Sequence, residues 1–73
     1  MTEEAFLSIV ADELMITANA IAIHTEFRSI PTWTSLNALL VVSRLHEETG
    51  CMISAGDLSK SKTLGELFEL IRS

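Results

Sequence analysis

The sequence predicts an all-α protein, a small four-helix bundle with three main helices and a short third helix. Three observations lead there. Apolar residues recur at helical spacing in three separate segments, serines and threonines stand in capping positions ahead of helical runs, and no segment alternates as a strand. The 73 residues are read as one domain spanning 1–73. A core of this size supports a stability of roughly 3–5 kcal/mol. Hydrophobic residues make up 48% of the chain and charged residues 21%, too apolar a mixture for a disordered segment, so the chain is expected to fold alone.

The first helix opens at Thr2, a cap, with Glu3 and Glu4 in the first turn where the positive end of the helix dipole favours them. Leu7, Val10, Ala11, Leu14 and Ala18 then repeat at helical spacing, and Phe6 and Ile9 widen the apolar face. From Asn19 to Thr34 the periodicity fades. Pro31 favours an extended conformation at Ile30, and a long ordered loop is expected here, pinned by Ile21, Ile23, Phe27 and Trp33.

The second helix is expected from about Ser35 to Thr49, stopping at Gly50, the residue type that tolerates a left-handed turn past a helix end. Ala38, Val41, Val42 and Leu45 form its inward stripe, while Leu36, Leu39 and Leu40 spread the apolar surface so widely that at least one leucine should face solvent. Ser54-Ala55-Gly56-Asp57 fits a capping pattern and starts a short helical turn with Leu58 inward, followed by a polar connection marked by Lys60 and Lys62. Thr63 and Glu66 form a second capping pattern, ahead of Leu64, Leu67, Phe68 and Ile71 at i, i+3, i+4 and i+7.

Charge and motif content exclude several classes of function. Ten acidic against five basic residues leave a net charge of −5, which repels nucleic acid and anionic membrane and favours basic partner surfaces. The longest apolar run, Ala38 to Val42, is far short of a bilayer span, and the opening Met1-Thr2-Glu3-Glu4 is unlike a basic and then apolar signal, so a cytoplasmic protein is expected. The lone cysteine, Cys51, has no internal partner and reads as a small buried apolar residue. His24, His46 and Cys51 lack the close spacing of a zinc set, and no metal is expected. A hydrolase built on Ser35 with either histidine lacks a Gly-x-Ser-x-Gly turn and a histidine–acid spacing. The three glycines never cluster into a phosphate-cradling loop.

What remains is Trp33-Thr34-Ser35-Leu36, which sets a serine at the mouth of an apolar helix. A helix N-terminus carries unpaired N–H groups and partial positive charge, so a phosphodiester on Ser35 would sit where the backbone favours an anion. Taken alone, the tetrapeptide is better explained by Thr34 or Ser35 acting only as an N-cap, so the attachment reading needs support from the rest of the chain.

The rest of the chain adds a pattern. Phe27 lies eight residues before Ser35, Ser35-Leu36 opens a helix running through Leu45-His46-Glu47-Glu48-Thr49-Gly50, and Thr63-Leu64-Gly65-Glu66-Leu67 begins a closing helix. In order and spacing, nearly the whole chain resembles the acyl carrier protein family, which implies a helical bundle of acyl-carrier type. In that family the serine of an Asp-Ser-Leu motif carries a 4'-phosphopantetheine arm whose thiol holds acyl groups as thioesters. The resemblance maps that serine to Ser35 and implies a non-enzymatic carrier. Its partners would be a phosphopantetheinyl transferase and acyl-transferring or condensing enzymes of fatty-acid, polyketide or related lipid biosynthesis.

The pattern also departs from the family. Thr34 stands where aspartate is usual and Trp33 replaces a small residue, which looks like a divergent, stand-alone branch and bears on which transferase accepts the chain. Leu40 takes a position that commonly bears an acid facing partner enzymes, and Asn37 takes another that is often acidic. Small, partly electrostatic partner contacts are therefore expected at Thr34, Leu36, Leu40, Glu47 and Glu48, with Leu40 making an apolar contact or else covered by the loop that holds Trp33. Glu47 and Glu48 stand in the last turn, where the helix dipole disfavours them, and either meet a basic patch or remain plain solvated charges. A monomer is expected. Two other readings stay open: an aminoacyl or peptidyl carrier using the same arm, and an unmodified helical interaction module with Trp33 and Leu40 as its binding patch.

Overall fold

A cluster of large apolar side chains that lie far apart in sequence organises the molecule. Phe6, Val10, Leu14, Phe27, Val41, Leu45, Leu64 and Leu67 are all fully buried, and every one of the main helices contributes to them. The structure, a computed structural model, describes residues 1–72. The described residues form four α-helices: α1 (Glu3–Leu14), α2 (Ser35–Thr49), α3 (Ala55–Lys60) and α4 (Leu64–Arg72). Phe6 of α1 meets Phe68 of α4 in a tilted pair with ring centroids 5.3 Å apart.

Each helix starts where the capping signals stand. The Ala5 N–H donates to Thr2 Oγ1, the Asn37 N–H to Thr34 Oγ1 and the Asp57 N–H to Ser54 Oγ, each satisfying an amide that has no partner inside its helix. At α4 the box is reciprocal. The Glu66 N–H donates to Thr63 Oγ1, while Glu66 Oε1 accepts from the amides of Lys62 at 2.9 Å and Thr63 at 3.0 Å. Those donors stabilise the ionised carboxylate and hold the Glu66 carboxyl below the usual glutamate range.

The first helix ends earlier than the apolar spacing predicts. Met15 adopts a left-handed conformation (φ 59°, ψ 40°), and the Ile16 N–H turns back to the Ala11 carbonyl at 3.0 Å. Ala18 therefore lies outside α1, in a 3₁₀ turn spanning Ala18–Ala20. α2 has the bounds read from the sequence, with Gly50 left-handed at φ 76°. Two of the side chains read as inward, Leu7 and Val42, are only half-buried against the core. Cys51 is also half-buried, its Sγ 3.6 Å from the Ile71 carbonyl.

The long loop between α1 and α2 is ordered by backbone contact with the start of α4. The Phe27 N–H reaches the Lys62 carbonyl, the Leu64 N–H reaches the Thr25 carbonyl, and Glu26 and Thr63 form an isolated antiparallel bridge. Ile21 and Phe27 are buried as expected, and Ile30, extended ahead of Pro31 with ψ 123°, joins them in the core. Closest of all is Gly65, whose N–H donates to the Ile23 carbonyl at 2.8 Å. A Cβ there would lie 2.5 Å from Ile23 Cγ2.

Candidate functional site

The exposed hydroxyl of Ser35 stands at the first position of α2, immediately after the cap. Thr34 is the cap itself: its backbone is extended (φ −123°, ψ 169°) and its Oγ1 accepts from the Asn37 N–H at 3.1 Å. Threonine thus performs the capping role open to an aspartate while adding no charge. Asn37 in turn donates from Nδ2 to the Thr32 carbonyl at 2.7 Å, which fastens the incoming loop to the helix it leads into. Among the described residues, Ser35 Oγ has no hydrogen-bond partner.

A cleft of about 670 Å³ opens beside this serine, lined by Ser35, Trp33, Ala38 and Leu39 on one side and by Ala55 and Leu58 of α3 on the other. Trp33 packs on the buried ring of Phe27 with centroids 4.6 Å apart, which holds the indole as a wall of the cleft. Arg28 completes the lining. Its Nη1 donates to the Ser61 carbonyl and its Nη2 to the Leu58 carbonyl at 2.9 Å, so the guanidinium neutralises the carbonyl end of α3 while its Cζ lies 4.7 Å from the Phe27 centroid. α3 has no fully buried residue, and Leu58 is only half-buried. Arg28 and Leu58, together with the buried residues Ile53 and Ser61 that flank α3, hold that wall in place.

The residues singled out from the sequence do not all fall on one face. With 3.6 residues per turn, Leu36, Leu40, Ser43 and Glu47 run along the outward side of α2, opposite Ala38, Val41 and Leu45. Leu39 borders the cleft. Leu36 and Leu39 are each 66% exposed and Leu40 is 43% exposed, so the Trp33 loop does not cover Leu40. Glu48 lies elsewhere: its carboxylate is 3.6 Å from Arg44 Nε, and Arg44 Nη1 reaches across to Asp12 at 3.2 Å and Glu13 at 3.6 Å on α1. The bond to Asp12, ahead of the other carboxylates, raises the Arg44 pKa further above its already basic range.

Arg28 was not singled out in the sequence, nor was Leu39 as a cleft wall. A cation beside a core phenylalanine is a weak signal, because the carbonyls it satisfies lie some thirty positions away in sequence and are brought near only by folding. Among the described residues no group of histidine, cysteine and carboxylate side chains is placed to hold a metal ion, and no helix is long and apolar enough to cross a membrane.

The site is thus a capped helix with a free serine at its first turn, set beside an apolar cleft in a four-helix bundle. The chain belongs to the phosphopantetheine attachment site family, whose model matches residues 4–71. Its fold is similar to the solution structure of the holo acyl carrier protein from Geobacter metallireducens, with a TM-score of 0.80 and 23% identity, over 96% of this chain and 80% of that one. No curated protein matches. Family membership makes this a non-catalytic carrier protein whose cofactor is covalently attached phosphopantetheine, the group that phosphopantetheinyl transferases install on carrier proteins. The residues fit that group: an unbonded hydroxyl for the ester, a helix N-terminus for the phosphate, and an apolar cleft beside them. When bound, the group supplies a thiol on a long flexible arm.

Proposed function

We propose that Ser35 is the attachment residue and that the chain serves as an acyl carrier in fatty-acid, polyketide or related lipid biosynthesis, acting as a cytoplasmic monomer. The single observation that carries the assignment is the exposed, unbonded Ser35 hydroxyl at the start of α2, beside a cleft with apolar walls. In the modification, Ser35 Oγ bonds to the phosphorus that bears the pantetheine of coenzyme A. The phosphoanhydride bond breaks, adenosine bisphosphate leaves, and the hydroxyl proton passes to the transferase's base.

The chain's own residues then have simple tasks. Thr34 keeps the first turn of α2 formed, the helix N-terminus offers backbone N–H groups to the phosphodiester, and Trp33, Leu39 and Leu58 offer apolar shelter to whatever the arm carries. Tethering raises the effective concentration of the cargo at each partner, so partner contacts can stay weak and release quickly. Thr34, Leu36, Leu40 and Glu47 surround or extend from Ser35 as the contact surface, with Glu48 at its edge, turned toward Arg44. A second reading, an unmodified interaction module, draws on the absence of the usual acid at Thr34.

Intact mass after incubation with coenzyme A and a phosphopantetheinyl transferase separates the two. A gain of one phosphopantetheine on the wild type and none on Ser35→Ala is expected. No gain on the wild type with the host organism's own transferase favours the module. Loading the modified protein with fatty-acyl, aminoacyl and peptidyl donors then distinguishes a lipid-pathway carrier from an aminoacyl or peptidyl one.

A further inference from the structure

Ser35 Oγ stands at the first turn of α2, so the first turns of that helix are the surface next to the reacting hydroxyl, and they carry no carboxylate. From Ser35 to Ser43 no side chain is charged. The first acid on the outward stripe is Glu47, about 18 Å farther along the axis at 1.5 Å per residue. The charge that lines the same cleft as Ser35 is the cation of Arg28. Although the chain as a whole has a net charge of −5, three of the acids near the helix, Asp12, Glu13 and Glu48, converge on Arg44 on the side toward α1, and Asp57 of α3 is not among the residues that line the cleft. In place of acids, the surface around Ser35 presents Leu36, Leu39 and Leu40, each more than two-fifths exposed.

We infer that the transferase which modifies Ser35 docks on the ridge formed by Leu36, Leu39 and Leu40 through an apolar patch of its own, and that electrostatic attraction contributes little to this encounter. The inference rests on Ser35 being the attachment residue. A basic docking surface on the enzyme would meet no carboxylate on the first turns of α2 or in the cleft lining and would face Arg28 there. An apolar patch removes the leucines from water and continues into the cleft wall at Trp33 and Leu39. The physical consequence is a weak dependence on ionic strength, because screening acts on charge pairs and not on apolar burial.

The test is the rate of mass gain on the full chain with coenzyme A and the host organism's transferase, for the wild type and for Leu36→Ser, Leu39→Ser and Leu40→Ser. Far-ultraviolet circular dichroism serves as the check that each variant folds. Met52→Ser is the control, since Met52 is 64% exposed but lies beyond the opposite end of α2. The expected result is that each leucine variant raises KM about tenfold with kcat little changed, as loss of a central apolar contact does. Met52→Ser is expected to be neutral. The wild-type kcat/KM should change less than about twofold between roughly 0.05 and 0.5 M salt. Folded leucine variants modified at the wild-type rate, or a wild-type rate that falls about tenfold over that salt range, overturn the inference while leaving Ser35 as the attachment residue. No mass gain on the wild type overturns both.

Discussion

At Thr34 the side chain that departs from the family's usual aspartate still accepts the Asn37 N–H, so the local structure survives the change and only the charge is lost. Thr34→Ala should destabilise the protein by about 1 kcal/mol, the ordinary worth of an N-cap, whereas Thr34→Asp should stabilise it by a few tenths of a kcal/mol through the helix dipole. Urea denaturation midpoints check both. Gly65 is constrained by proximity and not by its dihedral angles. An added Cβ meets Ile23 Cγ2 at 2.5 Å and the Ile23 carbonyl oxygen at 3.1 Å, and the backbone cannot retreat without breaking the 2.8 Å hydrogen bond that closes the loop onto α4. Gly65→Ala should cost about 1–3 kcal/mol, the usual range for overpacking, as a lowered urea midpoint with an unchanged slope. The capping threonine was readable because its side chain acts within three residues of itself. The demand on Gly65 was not, since it comes from a loop forty positions earlier.

Among the elements, α4 was the most legible and α1 ended differently from its pattern. The four apolar positions of α4 are all buried, and its capping box forms as the Thr63–Glu66 spacing predicts. Because amide donors hold the Glu66 carboxyl below its usual range, the ionised form belongs preferentially to the folded state. Its contribution is complete above the ordinary glutamate range and is lost as pH falls through the lowered folded-state value. Thermal melts of the wild type and Glu66→Ala should therefore differ by a constant amount from neutral pH down to that range, and the gap should shrink at lower pH. A gap that widens on acidification contradicts the box. In α1 the helix stops at Met15 although no glycine marks the place, and the left-handed turn there frees the chain to enter the loop. A non-glycine residue in that conformation costs on the order of 1 kcal/mol, which packing of the following loop against the core must offset. α3 shows the opposite dependence: its cap was readable, but its carbonyl end is satisfied by Arg28, a side chain from the loop before α2.

For the molecule as a whole, one small core carries both stability and the site. Phe6 is fully buried against Phe68, and Phe6→Ala should cost about 3–5 kcal/mol, comparable to the whole stability expected at this chain length. Circular dichroism of that variant should show a largely unfolded population at room temperature. Local periodicity and caps determined the number of helices, the start of each, the end of α2 at Gly50 and the position of Ser35 at its mouth, because each depends on residues within a turn or two of one another. Only the tertiary structure decided that Ala18 leaves α1, that Ile30 enters the core, that Leu36, Leu39 and Leu40 all stay exposed, and that Arg44 joins Glu48 to Asp12 and Glu13 of α1. It alone joined Trp33, Leu39, Leu58 and Arg28 into one cleft beside the serine. Those outcomes depend on which faces meet across long stretches of chain, and a pattern confined to one helix cannot specify the neighbour that covers it.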